Sequence, residues 1–187
     1  MPKEYKMLIN GKWLAGKDTI EVKNKYNQEV LGTIPKASKD DVNAAIESAQ
    51  QAFKVISQLP AHERSKILER TSSLIAKHKE EIAEIIAKEA GKAWKYAIGE
   101  VNRAVQTFKF AAEEAKQIHG ETVPMDAGEG SENRIGFFLR FPVGVICAIS
   151  PFNFPLNLVA HKVAPGIAAG NSIVLKPATA TPLTALR

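Results

Sequence analysis

Residues 143–182 read VGVICAISPFNFPLNLVAHKVAPGIAAGNSIVLKPATATP, and this stretch decides the fold. It opens with the apolar run 143–149, which is too short for a core helix and rich in β-branched residues. Such a run predicts a strand buried on both faces. The apolar, Ala-rich segment 156–169 predicts a helix that Pro165 kinks or breaks. A second apolar run, 172–175, completes a predicted βαβ unit.

Polar side chains follow both predicted strands. Ser150 and Asn153 come after the first strand, and Lys176 and Thr179 come after the second. In an open parallel sheet, ligands bind outside the carboxyl ends of the strands. The Asn153 amide can donate two hydrogen bonds, although an asparagine beside proline also commonly tightens a turn. The Lys176 ammonium suits phosphate or ribose oxygens.

Three sequence blocks occur here in order: PFNFP at 151–155, GN-x-x-V-L-K-P-A at 170–178 and TPLTAL at 181–186. Together they closely resemble the aldehyde dehydrogenase superfamily, and the likeness extends through FPVGVI and more loosely back to Met7. Within this superfamily the chain resembles members that prefer NADP. These are the lactaldehyde, the succinate-semialdehyde and the non-phosphorylating glyceraldehyde-3-phosphate dehydrogenases. The implied fold class is α/β, the N-terminal part of the aldehyde dehydrogenase fold. It comprises a Rossmann-like parallel sheet unit with helices and a protruding oligomerisation β-hairpin.

The resemblance implies NAD(P)-dependent oxidation of an aldehyde to a carboxylic acid through a thiohemiacetal and a thioester. It gives Asn153 the catalytic role of stabilising the oxyanion, and Lys176 the role of gripping the adenosine ribose. The other cofactor contacts that it implies are Ile149, Ser150, Pro151, Phe152, Ala178 and Thr179. A glutamate occupies the place of Thr179 in the commonest NAD-using pattern of the family. Because a threonine hydroxyl can donate to a 2′-phosphate that a carboxylate would repel, we expect NADP as the preferred cofactor, with NAD as the alternative.

The phrase WKYAIGEVNR, residues 94–103, resembles the segment from which members acting on phosphorylated aldehydes reach into the substrate tunnel. Arg103 is therefore a candidate substrate-binding residue, since its guanidinium can bind a phosphate or carboxylate in bidentate fashion. The alternative is a surface arginine paired with Glu100 or another nearby carboxylate.

The nucleophilic cysteine and the glutamate base of the family lie well downstream of these motifs. Cys147, the single cysteine, sits in an apolar run and is predicted to be a small buried hydrophobe. We therefore expect an N-terminal portion of a longer enzyme, without the catalytic domain. The alternative is a truncated, non-catalytic protein that associates with full-length subunits through the hairpin. A relative that reduces acyl phosphates or acyl-CoA is disfavoured by the intact PFNFP block.

The sequence predicts three regions: strands and helices of the cofactor-binding domain in 1–120, a hairpin in 121–142, and the first βαβ unit in 143–187. The first region starts with strands around the turn Asn10-Gly11 and continues into helices with apolar stripes. Ser38 and Asp41 predict a capping box. Glu89 and Glu113 are interpreted as charges on helix surfaces, and Thr181-Pro182 as a helix N-cap and first residue.

The predicted hairpin strands, 121–125 and 134–141, place an alternating apolar face at Ile135, Phe137, Leu139 and Phe141. An isolated two-stranded ribbon needs a cover, and we expect a homodimer or homotetramer rather than burial within one chain.

Composition restricts the remaining functions. The 187 residues carry a formal net charge of +5, with lysines and acidic residues interleaved on the predicted helices. There is no basic stripe with interleaved aromatics, which disfavours nucleic-acid binding. No apolar run suits a signal peptide or a membrane span. The four histidines lack the spacing of metal ligands. A single cysteine fits a protein of a reducing compartment. The sequence thus predicts a cytoplasmic enzyme without a metal.

Overall fold

The computed structural model describes residues 3–187. Its strands are β1 (Lys3–Glu4), β2 (Met7–Ile9), β3 (Lys12–Leu14), β4 (Asp18–Lys23), β5 (Val30–Lys36), β6 (Glu121–Val123), β7 (Gly136–Phe138), β8 (Val145–Ile149) and β9 (Ser172–Lys176). Its α-helices are α1 (Lys39–Ile56), α2 (Ala61–Lys77), α3 (Lys79–Ala90), α4 (Trp94–Ala115), α5 (Asn157–Ala168) and α6 (Leu183–Leu186). None of the helices in residues 3–187 has the length and apolarity that a bilayer crossing requires.

The N-terminal strands form two separate sheets. β5 lies between β1, which is parallel to it, and β4, which is antiparallel. β2 and β3 pair as a hairpin. Its turn residues Asn10 and Gly11 have φ angles of 51° and 70°, which are the positive values that a tight two-residue turn requires. The predicted hairpin is confirmed.

The main core lies where α4 packs against α2, α3 and α5. Small buried residues on α4, among them Ala97 and Ala104, let neighbouring helices approach closely. Leu68 of α2 and Ile86 of α3 are fully buried against them. The predicted capping box also forms, because the Asp41 N–H donates to Ser38 Oγ at 3.2 Å and the Ser38 N–H donates to Asp41 Oδ2 at 2.8 Å.

The predicted βαβ unit is confirmed, with its first strand starting at Val145 rather than at residue 143. β8 and β9 are parallel and pair from Val145 with Ser172 to Ile149 with Lys176. α5 connects them and continues through Pro165. Gly166 lets this helix rest on the sheet, since a Cβ at that position would lie 2.8 Å from Ile173 Cδ1.

The prediction that β8 is buried on both faces is wrong. Ala148 is buried, but Val145, Cys147 and Ile149 on the other face are exposed. Within residues 3–187 the helices cover only the face that carries Ile146 and Ala148, which accounts for the alternation. The expectation that Cys147 is a buried hydrophobe is therefore also wrong.

β6 and β7 form the predicted ribbon, although they are shorter than the segments expected from the sequence. Their register runs from Glu121 with Phe138 to Val123 with Gly136. The predicted apolar face is uncovered within the described chain, since its four residues are all exposed: Ile135, Phe137, Leu139 and Phe141. No such patch is expected on a surface that faces only water.

Candidate functional site

The loops that follow β8 and β9 lie side by side at the carboxyl ends of these strands. The Ser150 N–H donates to the Lys176 carbonyl oxygen at 3.2 Å, and the Thr181 hydroxyl donates to the Phe152 carbonyl oxygen at 3.1 Å. These bonds bring the residues named as cofactor contacts to one edge of the sheet. The residues are Ile149, Ser150, Pro151, Phe152, Lys176, Ala178 and Thr179.

Several polar groups at this edge are available to a ligand. Asn153 is exposed, and its backbone carbonyl rather than its amide bonds to the rest of the protein. Lys176 is exposed and uses one of its three ammonium protons on a neighbouring backbone carbonyl. Thr179 is exposed in a turn. Ser150 Oγ, by contrast, is buried and has no hydrogen-bond partner among the described residues, so it does not face a ligand at this edge.

A buried ion pair lies beneath the loop that carries Asn153. The Glu100 side chain is fully buried and the Lys92 side chain is 15% exposed. Glu100 Oε1 accepts from the N–H groups of Leu156 at 2.9 Å and Asn157 at 3.2 Å. The carboxylate thereby caps the N-terminus of α5, where unpaired N–H groups and the helix dipole favour an anion.

A second buried carboxylate has the same function at α6. Glu89 Oε2 accepts from the Leu183 N–H at 2.8 Å, and Oε1 accepts from the Thr184 N–H at 3.0 Å and from the Thr184 hydroxyl. Burial raises the pKa of Glu89 above its ordinary value, against the opposing effect of these hydrogen bonds. The loop that follows β9 is thus bonded to α3 by one side chain.

The interpretation of Glu89 as a surface charge is wrong, as is that of Thr181 as the N-cap of the last helix. Glu89 is fully buried, and the Thr181 hydroxyl is used by the β8 loop instead. The signal was present in the helical periodicity, because Glu89 lies three residues after buried Ile86 and Glu100 lies three residues after buried Ala97. A carboxylate on an apolar helix face needs a partner, and helix N-termini distant in sequence supply it. Glu113 is exposed, as expected.

Arg103 lies exposed on α4, close to the same loop. Its guanidinium carbon is 5.9 Å from the centroid of the Phe154 ring. Glu100, the proposed alternative partner, is bonded to Lys92 instead. Arg103 takes part in none of the ion pairs found in residues 3–187, so its guanidinium is available to an anionic group.

A row of polar side chains continues from Arg103 along α4 and α5. The Thr107 hydroxyl donates to Asn157 Oδ1 at 3.3 Å, and Asn157 Nδ2 lies 3.3 Å from His161 Nε2. Across the described part of the chain, no three His, Cys, Asp or Glu side chains come together as a group that could hold a metal ion.

Comparison with known proteins identifies the family. A helix-covered parallel unit with polar loops at one edge is the arrangement of an α/β protein, a class in which ligands generally bind at the strand ends. The sequence pattern of the aldehyde dehydrogenase family matches residues 13–187. The chain belongs to this family.

The chain is similar to several members of known activity or structure. It is 48% identical over 185 residues to the 3-sulfolactaldehyde dehydrogenase of Priestia aryabhattai, a match that covers 99% of this chain and 38% of the relative. The crystal structure of aldehyde dehydrogenase 21 from Physcomitrella patens, in complex with the reaction product succinate, superposes with a TM-score of 0.94 at 41% identity, covering 100% of this chain and 39% of that one. The NADP-dependent glyceraldehyde-3-phosphate dehydrogenase from Bacillus halodurans C-125, complexed with NADP, superposes with a TM-score of 0.93 at 38% identity. This match covers 98% of this chain and 39% of that one. The chain thus spans well under half the length of these relatives.

Proposed function

We propose that this chain is the cofactor-binding part of an NADP-dependent dehydrogenase that oxidises an aldehyde to a carboxylic acid. The observation that carries the proposal is the position of Asn153, Lys176 and Thr179 on two mutually bonded loops, in a chain of this family. The nucleophilic cysteine and the general base belong to the part of the complete enzyme that corresponds to the remaining length of the relatives. Within the chain we assign 1–120 and 143–187 to cofactor binding and 121–142 to assembly.

In the proposed reaction a cysteine thiolate adds to the aldehyde carbon and forms a thiohemiacetal. The Asn153 amide donates a hydrogen bond to the oxygen on which negative charge develops, and a preorganised donor of this kind stabilises the transition state more than the ground state. When bound at Lys176 and Thr179, NADP⁺ would supply the acceptor for the hydride that leaves the carbon. Hydrolysis of the resulting thioester releases the acid and restores the thiol.

The residues at the strand ends fit a phosphorylated dinucleotide. Exposed Lys176 supplies a positive charge and exposed Thr179 a hydroxyl donor. Thr179 stands where a carboxylate would exclude a 2′-phosphate. The NADP complex of the Bacillus halodurans relative supports the same preference.

We propose an aldehyde with an anionic group as substrate, and a cytoplasmic homo-oligomer as the working form. Exposed Arg103, without a carboxylate partner in the described chain, is the residue that would bind the anion. The relatives named above are a 3-sulfolactaldehyde dehydrogenase, an enzyme bound to its product succinate, and a glyceraldehyde-3-phosphate dehydrogenase. Sulfolactaldehyde, succinate and glyceraldehyde 3-phosphate are all anionic. The uncovered hairpin face supports assembly, and the single cysteine fits a reducing compartment.

The test is to measure NADP⁺ and NAD⁺ reduction by the complete enzyme with anionic aldehydes and with neutral aldehydes of equal length. Reduction of NADP⁺ by an anionic aldehyde supports the proposal, and reduction of neither cofactor by any aldehyde overturns it. The exposed hairpin face equally suits a non-catalytic chain that joins full-length subunits. That alternative is supported if the gene encodes no cysteine-bearing catalytic part and the chain co-sediments with a full-length relative.

A further inference from the structure

A buried ion pair joins Lys92, in the segment between α3 and α4, to Glu100 of α4. It contacts the loop of the proposed oxyanion donor at both ends of that loop. We propose that Lys92 and Glu100 are positioning residues that fix the backbone of Asn153, an inference that rests on the proposed function. Lys92 Nζ donates to the Asn153 carbonyl oxygen at 2.9 Å and also to Glu100 Oε2. Glu100 Oε1 accepts from Leu156 and Asn157 at the other end. One charge pair therefore holds residues 153–157.

The aromatic ring of Phe154 restricts the same ammonium further. Lys92 Nζ lies 3.9 Å from the ring centroid, a distance at which a cation is attracted to the face of the ring. The ammonium is thus bounded by a carboxylate, a carbonyl oxygen and an aromatic ring. Lys92 has little freedom to follow the loop if the loop moves.

The burial of the pair argues for a role in orientation rather than in stability. Removing two charges from water offsets most of their attraction, so a buried pair is weak grounds for stabilisation. The carboxylate also occupies the two N–H groups at the start of α5, a place that would otherwise suit a phosphate. These two N–H groups are therefore already hydrogen-bonded to Glu100 and do not bind the cofactor.

Fixing the carbonyl of Asn153 restrains the backbone position from which its side chain starts. The orientation of that carbonyl is set by ψ of Asn153, the torsion next to the Cα from which the amide side chain starts. Without the Lys92 bond the peptide can rotate and displace the amide. A displacement of about 1 Å in a catalytic group can lower the rate by roughly 100-fold.

A double-mutant cycle on the complete enzyme tests this coupling. Lys92→Met keeps the apolar stem and removes the ammonium, and we expect kcat to fall about 10- to 100-fold while the Kd for NADP⁺, measured by fluorescence titration, stays within about twofold of wild type. In an Asn153→Ala background, the same substitution should lower kcat by less than about twofold, because the group it positions is gone. Lys88→Met is the matched control, since it removes the lysine of an exposed Lys–Glu pair on α3 and should leave kcat unchanged.

A second variant covers the case in which Lys92→Met leaves Glu100 charged and the protein unfolded. Lys92→Met combined with Glu100→Gln removes both charges and keeps an oxygen acceptor for the α5 N–H groups. This double variant should lose as much kcat as Lys92→Met does. When it is added to Asn153→Ala, it should lower kcat no further. Wild-type kcat in either folded variant overturns the proposal, as does an equal loss with and without the Asn153 amide. If Asn153→Ala itself retains kcat, the oxyanion role in the proposed function fails instead.

Discussion

The Lys92 ammonium donates a 2.9 Å hydrogen bond to the backbone carbonyl oxygen of Asn153, 61 residues further along the chain. The bond connects the segment between α3 and α4 to the loop after β8. Glu89 makes the corresponding connection to α6, after β9. The loops that follow β8 and β9 are therefore bonded to the helical layer by carboxylates and by one lysine. Their geometry depends on residues outside the sequence motifs.

The first prediction concerns the oxyanion donor. Asn153→Ala in the complete enzyme should lower kcat by about 10²–10³-fold, because one preorganised donor to the developing charge is lost. Cofactor affinity should change little, since Lys176 and Thr179 remain. Steady-state kinetics and cofactor titration measure the two effects, and a variant with near wild-type turnover would remove this assignment.

Cofactor preference is the second prediction. Thr179→Glu should weaken NADP⁺ binding about 10- to 100-fold, because a carboxylate replaces a donor near the 2′-phosphate and charge-assisted hydrogen bonds contribute about 1.5–3 kcal/mol each. NAD⁺ should be used as well as before or better. Thr179→Ser is the control, since it keeps the hydroxyl. The measurement is kcat/KM for both cofactors, and a wild-type preference for NAD⁺ that Thr179→Glu leaves unchanged contradicts the prediction.

The third prediction tests Arg103. Arg103→Met should lower kcat/KM for an anionic aldehyde by about 10- to 100-fold, through the loss of a charge-assisted hydrogen bond. It should leave a neutral aldehyde of the same length within about twofold, because that substrate makes no such bond. Lys109→Met, an exposed cation further along α4, is the control. Equal losses for both substrates would show that Arg103 acts on structure rather than on the anion.

The fourth prediction concerns the uncovered hairpin face. Replacing Phe137 and Leu139 with aspartate should shift the complete enzyme to smaller species in sedimentation velocity, because burying two carboxylates in an interface is strongly unfavourable. Val55→Asp alters another exposed apolar residue, on α1, and should leave the assembly state unchanged. An unaltered assembly state in the hairpin variant means that the ribbon is not an intersubunit contact.

The fifth prediction is the contribution of Glu89 to stability. Glu89→Ala should lower the free energy of unfolding by about 2 kcal/mol, since it leaves the N–H groups of Leu183 and Thr184 buried without acceptors. Glu113→Ala, on an exposed part of α4, should change it by less than about 0.5 kcal/mol. Urea denaturation of the complete enzyme measures both, and equal effects of the two substitutions would contradict the capping role.

The raised pKa of Glu89 also predicts that the free energy of unfolding depends on pH. Burial raises the folded-state pKa of Glu89 above the ordinary value of 4.5, so the folded protein holds this proton more tightly than the unfolded chain does. The stability that this tighter proton binding contributes is then fully present below pH 4.5, and it is lost as the pH rises through the folded-state pKa of Glu89. Compared with Glu89→Gln, which cannot titrate, the wild type should lose stability over this interval. A stability difference between the two proteins that is constant across the interval argues against the raised pKa.

Local chemistry made a large part of the fold predictable. The turn at Asn10-Gly11, the capping box at Ser38 and the βαβ unit around PFNFP depend on interactions within a few residues or on a simple hydrophobic period. The placement of Asn153, Lys176 and Thr179 at one edge follows from the parallel order of two strands. For these features the sequence was sufficient, because each depends on neighbours that the sequence itself displays.

The partners of Glu89, Lys92 and Glu100 were decided only by the tertiary structure. Each binds groups more than 50 residues away, and helical periodicity assigns a face to a residue without naming what packs against that face. The exposure of Cys147 was decided in the same way, since an apolar strand is buried only where another element covers it. The sequence by itself determined the strands, the helices and the polar loops of the βαβ unit. The arrangement of the helices determined which carboxylates are buried and which backbone groups they hold, because buried charges are stable only where distant segments supply their hydrogen-bond partners.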